Sequence, residues 1–371
     1  MTIPLFKPSC TEEEIDAVNR VLRSGWWAMG PEVAAFEQEF AAYVGAGHAV
    51  AVNSATSALE LAARACGIVN KTVVTPALTF VSTAQAMQHA GNKVVFADIN
   101  EDDLCIDYAD VERQVSENED IGGVVPVWYG GTVVEPFDLP GYATHQPWPT
   151  VPVIEDCAHA AGSSDAGKLG WASCWSFQAV KNLATGDGGM VTTDDPDVAE
   201  RLRQLRWCGI DKSTWERDQG RYGWDYDIPA DGEKMHMNDL TAALGRVQLS
   251  RLDDMNTTRW LRAVNYYDEF KDMWWLDTRC PLSFESNHLY VVRVPAEDRS
   301  RFIDHMISHD VSAGVHYKPL THYPNLFPGK HNVPVTERVW QTMVTLPLFP
   351  DLTDGEQEQV IAAVKSFEPG A

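Results

Sequence analysis

The sequence lacks several features that would place it in a membrane, secreted or metal-binding class. No run approaches the roughly 20 consecutive apolar residues of a membrane-spanning helix. The first ten residues contain no basic region followed by an apolar run, so we expect no secretory signal. The 7 cysteines are scattered and form no C-x-x-C pair, which argues against a disulfide framework and a zinc ribbon. We therefore expect a cytoplasmic protein without a membrane partner or a metal site.

Basic residues are also scarce, with 29 Lys and Arg against 53 Asp and Glu, giving a formal net charge of −24. Such a field repels nucleic acid and anionic membrane surfaces, so we expect neither as a partner. The charge mainly favours solubility. An anionic ligand would need a locally basic pocket set against the field of the whole protein.

The hydrophobic pattern predicts alternating helices and strands in the first half of the chain. A capping box at Thr11–Glu14 opens one amphipathic helix, and Gly45 ends a second. Apolar runs typical of buried strands cover 48–54, 71–76, 93–99, 122–128 and 150–160, and the segment 55–66 has helical spacing. Strands that alternate with helices predict a mainly parallel central sheet covered on both faces, which is an α/β fold.

The second half of the chain has a different pattern. Long helical spacing covers 240–275 and is followed by a strand-like run at 288–295, an amphipathic helix at 298–309 and a turn-rich segment at 316–330. We interpret residues 1–245 as a large domain and residues 246–371 as a smaller α+β domain. The N-terminal segment could pack on the smaller one.

Lys181 lies between an apolar strand and a glycine-rich turn, in the segment CWSFQAVKNLATGDGG. An amine that attacks a carbonyl must be partly desolvated, because its neutral form is the nucleophile. The alternative is an ordinary surface lysine that packs its stem along apolar neighbours.

Asp156 ends the strand-like part of VIEDCAHAAGS. Ligands of open α/β sheets lie beyond the carboxyl ends of the strands, and a buried carboxylate there needs a partner. A protonated pyridine nitrogen would be such a partner. Asp156 could instead cap a helix, and Glu155 beside it is either a sheet neighbour or a surface residue.

Two further turns follow strand ends. The turn from Asn53 to Ser57 offers hydroxyl and amide donors at a helix N-terminus, where a phosphate binds well, although Ser and Thr are also common helix caps. Phe80 follows the strand at 71–76 and could stack on a flat ring or simply belong to the core.

The chain resembles the DegT/DnrJ/EryC1/StrS family, the fold-type-I pyridoxal-phosphate (PLP) sugar aminotransferases, over essentially its whole length. The resemblance is carried by nine segments in the family's order: GWWAMGPEVAAFEQEFAAYVG, NSATSALELA, TPALTFVSTAQA, VVFADI, IEDCAHAAGS, SFQAVKNLATGDGGM, HMNDLTAALGRVQL, GVHYKP and LPLFPDLT.

The resemblance implies a role for each matched residue. Lys181 would bind the cofactor covalently and later move protons, Asp156 would pair with the pyridine nitrogen, and His159 would lie near the phenolic oxygen. Phe80 would cover one face of the ring. The expected phosphate contacts are Thr56, Ser57 and Ser176, and Ser54 and Ala55 are further expected cofactor contacts.

Two positions depart from the family pattern. Lys234 stands where many members carry an asparagine that reaches the phosphate of a neighbouring subunit; it could make that contact as a point charge or lie in solvent. Trp128 replaces a frequent histidine and either alters the substrate pocket or packs.

Substrate contacts are predicted from loop segments that match the sugar-nucleotide site of relatives. These candidates are Trp26, Trp27, His316, Tyr317 and Lys318, with Arg206 as a further one. Each could equally be structural, and both His316 and His322 could be satisfied turn residues.

The implied reaction is transamination of a nucleotide-linked keto sugar, with glutamate as amino donor, in a homodimer that shares its active sites. Two alternatives stay open. One is dehydration of the sugar, which a related branch performs with histidine in place of the lysine. The other is a catalytically silent PLP-binding homologue, which the presence of Lys181 and Asp156 disfavours.

Overall fold

The computed structural model describes residues 2–118, 120–134, 151–219 and 223–370. Within these ranges the α-helices are α1 Glu12–Ser24, α2 Pro31–Val44, α3 Ala55–Ala65, α4 Val81–His89, α5 Tyr108–Glu117, α6 Pro196–Leu205, α7 Thr214–Gln219, α8 Asp239–Ser250, α9 Leu252–Phe270, α10 Arg299–Ser308, α11 Pro334–Val339 and α12 Asp354–Lys365. The strands are β1 His48–Val52, β2 Thr72–Pro76, β3 Lys93–Ala97, β4 Ile121–Val124, β5 Ile154–Asp156, β6 Ala172–Ser176, β7 Gly189–Thr193, β8 Asp277–Thr278, β9 Tyr290–Arg293 and β10 Met343–Leu346.

The helix boundaries predicted near the N-terminus are confirmed. The side chain of Thr11 accepts from the backbone at the start of α1 while the carboxylate of Glu14 accepts from the Thr11 amide at 2.8 Å, which is the predicted capping box. Helix α2 begins at Pro31 and ends before Gly45, whose φ of 76° is the left-handed conformation that glycine adopts without strain.

The central sheet has the strand order β1-β7-β6-β5 continued by β4-β2-β3. Isolated bridges from Val124 to Val153 and from Val127 to Asp156 join the two parts. The pairs β5–β6, β2–β4 and β2–β3 are parallel, so the prediction of a mainly parallel sheet is confirmed. The predicted run 150–160 narrows to β5, and its first residue lies outside the described ranges.

Strand β7 is the exception, because it runs antiparallel to both β1 and β6. The chain passes from Ser176 to Gly189 through a loop without a crossover helix, and a direct connection of that kind joins antiparallel neighbours. That loop carries Lys181. The antiparallel strand therefore places Lys181 beside the end of β5.

The helical segment predicted over 240–275 forms two helices, α8 and α9, separated at Arg251, and the second ends at Phe270. Helix α8 packs on α1 and α2, whereas α9 contributes Tyr266 and Phe270 to a separate core beneath the antiparallel sheet β10-β9-β8. The proposed domain boundary at residue 245 falls inside α8 and stays a prediction.

The C-terminal half combines its antiparallel sheet with α10 and α12, as an α+β arrangement does. Its core includes Phe302, Val292 and Val364, all fully buried. The N-terminal segment joins it, since Ile3 belongs to the same core and bridges to Val311. No helix in the described part of the chain is long and apolar enough to cross a membrane.

Candidate active site

A cavity of about 550 Å³ opens at the carboxyl ends of the central strands. It lies where β5, β6 and the loop after β2 meet the first turn of α3, which is the expected ligand position in an open α/β sheet. Both halves of the chain contribute. The lining residues are Phe6, Ser54, Ala55, Thr56, Thr79, Phe80, Ser82, Val127, Asp156, Ala158, His159, Ser176, Gln178, Val180, Lys181, Asp187, Gly188, His288, His316 and Tyr317.

Lys181 reaches the cavity from the turn between β6 and β7. Its amide donates to the Gln178 carbonyl at 2.8 Å, which fixes the turn, while the fully buried Leu183 anchors the loop in the core. Burial lowers the pKa of the Lys181 ammonium to about 8, and the opposing charge of Asp156 raises it in part. A lysine in solution titrates near pH 10.4. Far more of the amine at this site is therefore in the neutral, nucleophilic form at neutral pH.

Asp156 is the last residue of β5 and is almost completely buried. One carboxylate oxygen accepts from the hydroxyl of Thr83 at 2.7 Å, and the other accepts from the amide of Ala158 at 3.1 Å. Burial raises the pKa of this carboxyl, whereas both hydrogen bonds and the charge of Lys181 lower it. Among the described residues Asp156 has no salt-bridge partner, which leaves a carboxylate held in place for a cation.

The support of Asp156 by Thr83 was not predicted from the sequence. Thr79 and Thr83 are four residues apart, one before and one inside α4, and their hydroxyls lie 2.8 Å apart. Both side chains are buried. Two threonines at helical spacing after a strand end are a usable signal, because buried hydroxyls there need polar partners.

The first turn of α3 forms a second polar wall. The Ser54 hydroxyl accepts from the Ser57 amide at 3.1 Å, and the Ser57 hydroxyl donates to the side chain of Asn53 at 2.7 Å. The Ser57 hydroxyl therefore serves the turn itself, while Ala55 and Thr56 line the cavity. Gly189 passes so close that an added Cβ would lie 2.5 Å from the Ser54 carbonyl carbon.

His159 and Tyr317 form a hydrogen-bonded pair on the opposite wall. The Gly130 amide donates to Nδ1 of His159 at 3.3 Å, so the proton of the neutral ring is on Nε2 and is donated to the Tyr317 hydroxyl at 3.0 Å. Burial, with the nearby charges of Lys181 and His316, holds the pKa of His159 well below its usual value. The Tyr317 hydroxyl then keeps its own proton for a ligand.

Phe80 and His316 flank the same wall. Phe80 is half exposed, and its ring lies 5.7 Å from that of Tyr317 at an angle of 55°. His316 bonds to the hydroxyl of Thr345 at 2.9 Å, and burial lowers its pKa to about 4. His316 is thus both a cavity residue and a satisfied side chain.

Besides Ser57 and Arg206, four predicted residues do not line the cavity of their own chain. Trp26 lies edge-on to Trp215. Trp27 is half exposed, Lys234 lies over the ring of Trp207, and Lys318 lies over the ring of Tyr323. Their assignment to cofactor or substrate stays a prediction.

Other residues considered in the sequence have structural contacts instead. Trp128 is fully buried and donates from its indole nitrogen to the Glu155 carboxylate at 2.7 Å. Arg206 is buried in an ion pair with Glu37 and also donates to the Ala51 carbonyl. This burial argues against Arg206 as a substrate contact. His322 pairs with Glu337.

Phe6, Asn182 and His288 were missed by the sequence reasoning. Phe6 stacks on His288 with ring centroids 5.7 Å apart, and the side chain of His288 bonds to that of Asn182 at 2.8 Å. These residues come from three distant parts of the chain, so local pattern carried no signal of their meeting. Only Asn182 could have been singled out from the sequence, because it directly follows Lys181.

The fold and site define a PLP-dependent aminotransferase of fold type I. The chain belongs to the DegT/DnrJ/EryC1/StrS aminotransferase family, whose model matches residues 8–365. It is 38% identical over its whole length to the spore coat polysaccharide biosynthesis protein SpsC of Bacillus subtilis, covering 98% of that protein.

Solved structures show the same relationship. The aminotransferase TlmJ from Streptoalloteichus hindustanus superposes with a TM-score of 0.88 at 30% identity, with 98% of each chain covered. PseC from Helicobacter pylori, an aminotransferase involved in the biosynthesis of pseudoaminic acid, gives a TM-score of 0.87 at 26% identity over 98% of each chain.

The residues present fit the family's cofactor. The cavity offers one amine of lowered pKa, one buried carboxylate with no salt bridge to any described residue and one helix N-terminus, which suit an aldehyde, a protonated ring nitrogen and a phosphate respectively.

Proposed function

We propose that the protein transfers an amino group from glutamate to the keto group of a nucleotide-linked sugar. The observation that carries the proposal is the pairing of Lys181 and Asp156 in one cavity of about 550 Å³, whose other wall comes from the C-terminal half of the chain. A sugar substrate fits the involvement of SpsC in polysaccharide synthesis and of PseC in pseudoaminic acid synthesis.

The cofactor supplies an electron sink for the carbon that gains or loses the amino group. In the proposed mechanism Asp156 holds the positive charge of the ring nitrogen, and Thr83 and the Ala158 amide keep the carboxylate in position. Lys181 would hold the cofactor through its aldehyde carbon and, as a free amine, would move a proton at the reacting carbon. Its lowered pKa suits both tasks, since the amine must lose and regain a proton near neutral pH.

The remaining cavity residues would bind and orient. Ser54, Ala55, Thr56 and Ser176 would hold the phosphate at the start of α3, where the helix dipole favours an anion. This gives the local attraction that an anionic ligand needs in a protein of net charge −24. His159, through Tyr317, would support the phenolic oxygen, and Phe80 would lie over one face of the ring.

We also propose a cytoplasmic homodimer in which a second subunit completes each site. Trp26, Trp27, Lys234 and Lys318 lie away from the cavity of their own chain, so they would act on the cavity of a partner or at its rim. Sedimentation at equilibrium tests whether the protein is a dimer. A Lys234→Ala variant tests whether the affinity for the phosphate of the cofactor depends on the Lys234 side chain.

The function is tested in two half-reactions. Glutamate should convert the yellow holoenzyme to a colourless form with one equivalent of 2-oxoglutarate released per site. A panel of UDP-, GDP- and dTDP-linked keto sugars, followed by mass spectrometry, should then yield an amino sugar and restore the colour. Lys181→Ala is the control: it should lose the borohydride-fixed link to the cofactor. A product lighter by one water and lacking nitrogen, or a protein that never takes up PLP, contradicts the proposal.

A further inference from the structure

His288 lines the Lys181 cavity, and hydrogen bonds with side-chain and backbone amide groups hold it in position. Its ring is almost completely buried, lies 4.4 Å from the ring of His159, and is stacked with the ring of Phe6 at 5.7 Å. Its backbone amide donates to the Gly130 carbonyl at 2.8 Å. Both the ring and its backbone are therefore held.

The hydrogen bonds of Asn182 define where the proton of His288 lies. One terminal atom of the Asn182 amide is 2.7 Å from the Ser286 carbonyl oxygen, which can only accept, so this atom is the nitrogen. The same nitrogen donates to Asn256, whose own amide nitrogen donates to the Ala161 carbonyl at 2.9 Å. The oxygen of Asn182 faces Nδ1 of His288 at 2.8 Å and can only accept.

His288 consequently carries its proton on Nδ1, and its Nε2 has a free lone pair. Two backbone carbonyls anchor this result, because neither Asn182 nor Asn256 can reverse its amide without facing a carbonyl with an oxygen. Among the described residues none donates to Nε2 of His288. An acceptor of fixed direction thus lies on the wall of the Lys181 cavity.

We propose that His288 is a positioning residue for Lys181, whose amine donates to Nε2 of His288 whenever it is not bonded to the cofactor. The inference rests on the proposed role of Lys181. The Lys181 amine must leave the cofactor when the amino donor takes its place, and it must return in a defined orientation. An acceptor of fixed direction within the same cavity gives it one resting position.

The surrounding groups favour Lys181 as the donor. The charged or titratable groups that act on His288 are His159, Lys181, Arg259 and His316, and burial with these charges keeps the pKa of His288 well below its usual value. The ring proton of His159 is donated to Tyr317, and Arg259 does not line the cavity and instead donates to the Asn256 side chain at 3.5 Å. His288 stays neutral and accepting throughout the working range of pH.

Two substitutions of His288 test the roles of Nδ1 and Nε2 independently. In His288→Asn the amide nitrogen takes the place of Nδ1 and keeps the bond to Asn182, but nothing replaces Nε2. In His288→Gln the longer side chain brings an amide oxygen near the position of Nε2. A role limited to packing or to holding Asn182 predicts that His288→Asn resembles the wild type. His331→Asn, at a histidine that contacts Phe96 outside the cavity, is the matched control.

The measurement is the rate at which the full-length apoprotein captures PLP covalently, followed by visible absorption from pH 6 to pH 10. We expect His288→Asn to lower the limiting rate about tenfold, as the loss of one orienting contact does. The midpoint should move to lower pH by about one unit, because the ammonium form loses one acceptor. His288→Gln should keep the limiting rate within about threefold of the wild type.

The outcomes are distinct. The proposal is overturned if a folded His288→Asn variant captures PLP with the rate and the midpoint of the wild type. It is also overturned if that variant changes only the KM of the sugar, because Nε2 would then contact the substrate. If His288→Asn fails to fold, a folded His288→Gln with a lost limiting rate overturns it instead. If the wild type does not bind PLP through Lys181, the proposed function itself is contradicted. Comparison of the wild type with Lys181→Ala detects that outcome independently of the His288 variants.

Discussion

The hydroxyl of Thr83 donates to the carboxylate of Asp156 at 2.7 Å, although the two residues are separated by 73 positions of sequence. This contact joins helix α4 to the carboxylate that we propose to pair with the cofactor. Because Thr79 supports Thr83 in turn, a short row of hydroxyls fixes the direction of the carboxylate.

Removing that hydroxyl should weaken cofactor binding without removing the charge. Thr83→Val keeps the shape of the side chain but leaves one carboxylate oxygen without its donor. A hydrogen bond to a charged group contributes about 1.5–3 kcal/mol, so the Kd for PLP should rise roughly tenfold to a hundredfold. Titration of apoprotein by absorption measures it. Thr75→Val is the matched control, since its buried hydroxyl has no hydrogen-bond partner among the described residues and lies outside the cavity lining; an equal effect of both variants would contradict the argument.

Neutralising Asp156 should shift the titration of Lys181 in a predictable direction. The carboxylate stabilises the ammonium form and so raises the pKa of Lys181 against the larger effect of burial, which sets it at about 8. Asp156→Asn removes the opposing charge, and the pKa of Lys181 should fall. The pH dependence of covalent PLP capture should therefore rise through pH 8 in the wild type and at lower pH in the variant. A midpoint that stays in place or rises would show that the two groups do not interact.

The close approach of Gly189 to the start of α3 makes the phosphate wall sensitive to one methyl group. In Gly189→Ala the new Cβ would lie 2.5 Å from the Ser54 carbonyl carbon and 2.7 Å from the Ala55 nitrogen, so the turn must shift. We expect a Kd for PLP raised at least tenfold, with a smaller change for pyridoxal, which lacks the phosphate. Gly355→Ala is the control, because an added Cβ there meets nothing within 4 Å. Equal losses for both ligands would place the damage elsewhere.

Arg206 should matter for stability rather than for substrate. Its guanidinium is buried beside Glu37 and donates to the Ala51 carbonyl, so Arg206→Met leaves a largely buried carboxylate without its cation, with only the Ala51 amide as a donor. Breaking one partner of a buried pair costs about 3–5 kcal/mol in the free energy of unfolding. Urea titration measures this, and the double variant Arg206→Met/Glu37→Gln should recover part of the loss. A raised KM for the sugar at unchanged stability would return Arg206 to the substrate site.

Local pattern was sufficient for the first two helices and for strand β5, and it placed Lys181 and Asp156 beside strand ends while leaving a surface or capping role open for each. The capping box at Thr11, the glycine end of α2 and the strand that ends at Asp156 depend on neighbours a few positions away. The same is true of Lys181, whose glycine-flanked turn is contiguous in sequence. Chemistry that rests on short-range spacing can be predicted from one sequence.

Tertiary structure alone decided which side chains share the cavity and which are held elsewhere. Trp128 and Arg206 looked like candidates for a ligand site, but in the interior Glu155 accepts the indole hydrogen bond of Trp128 and Glu37 pairs with the charge of Arg206, as burial of a polar or charged group requires. The meeting of Asn182 with His288 depends on packing between the two halves of the chain, over 106 positions. Contacts of that range follow from the whole core, because no local preference specifies the partner.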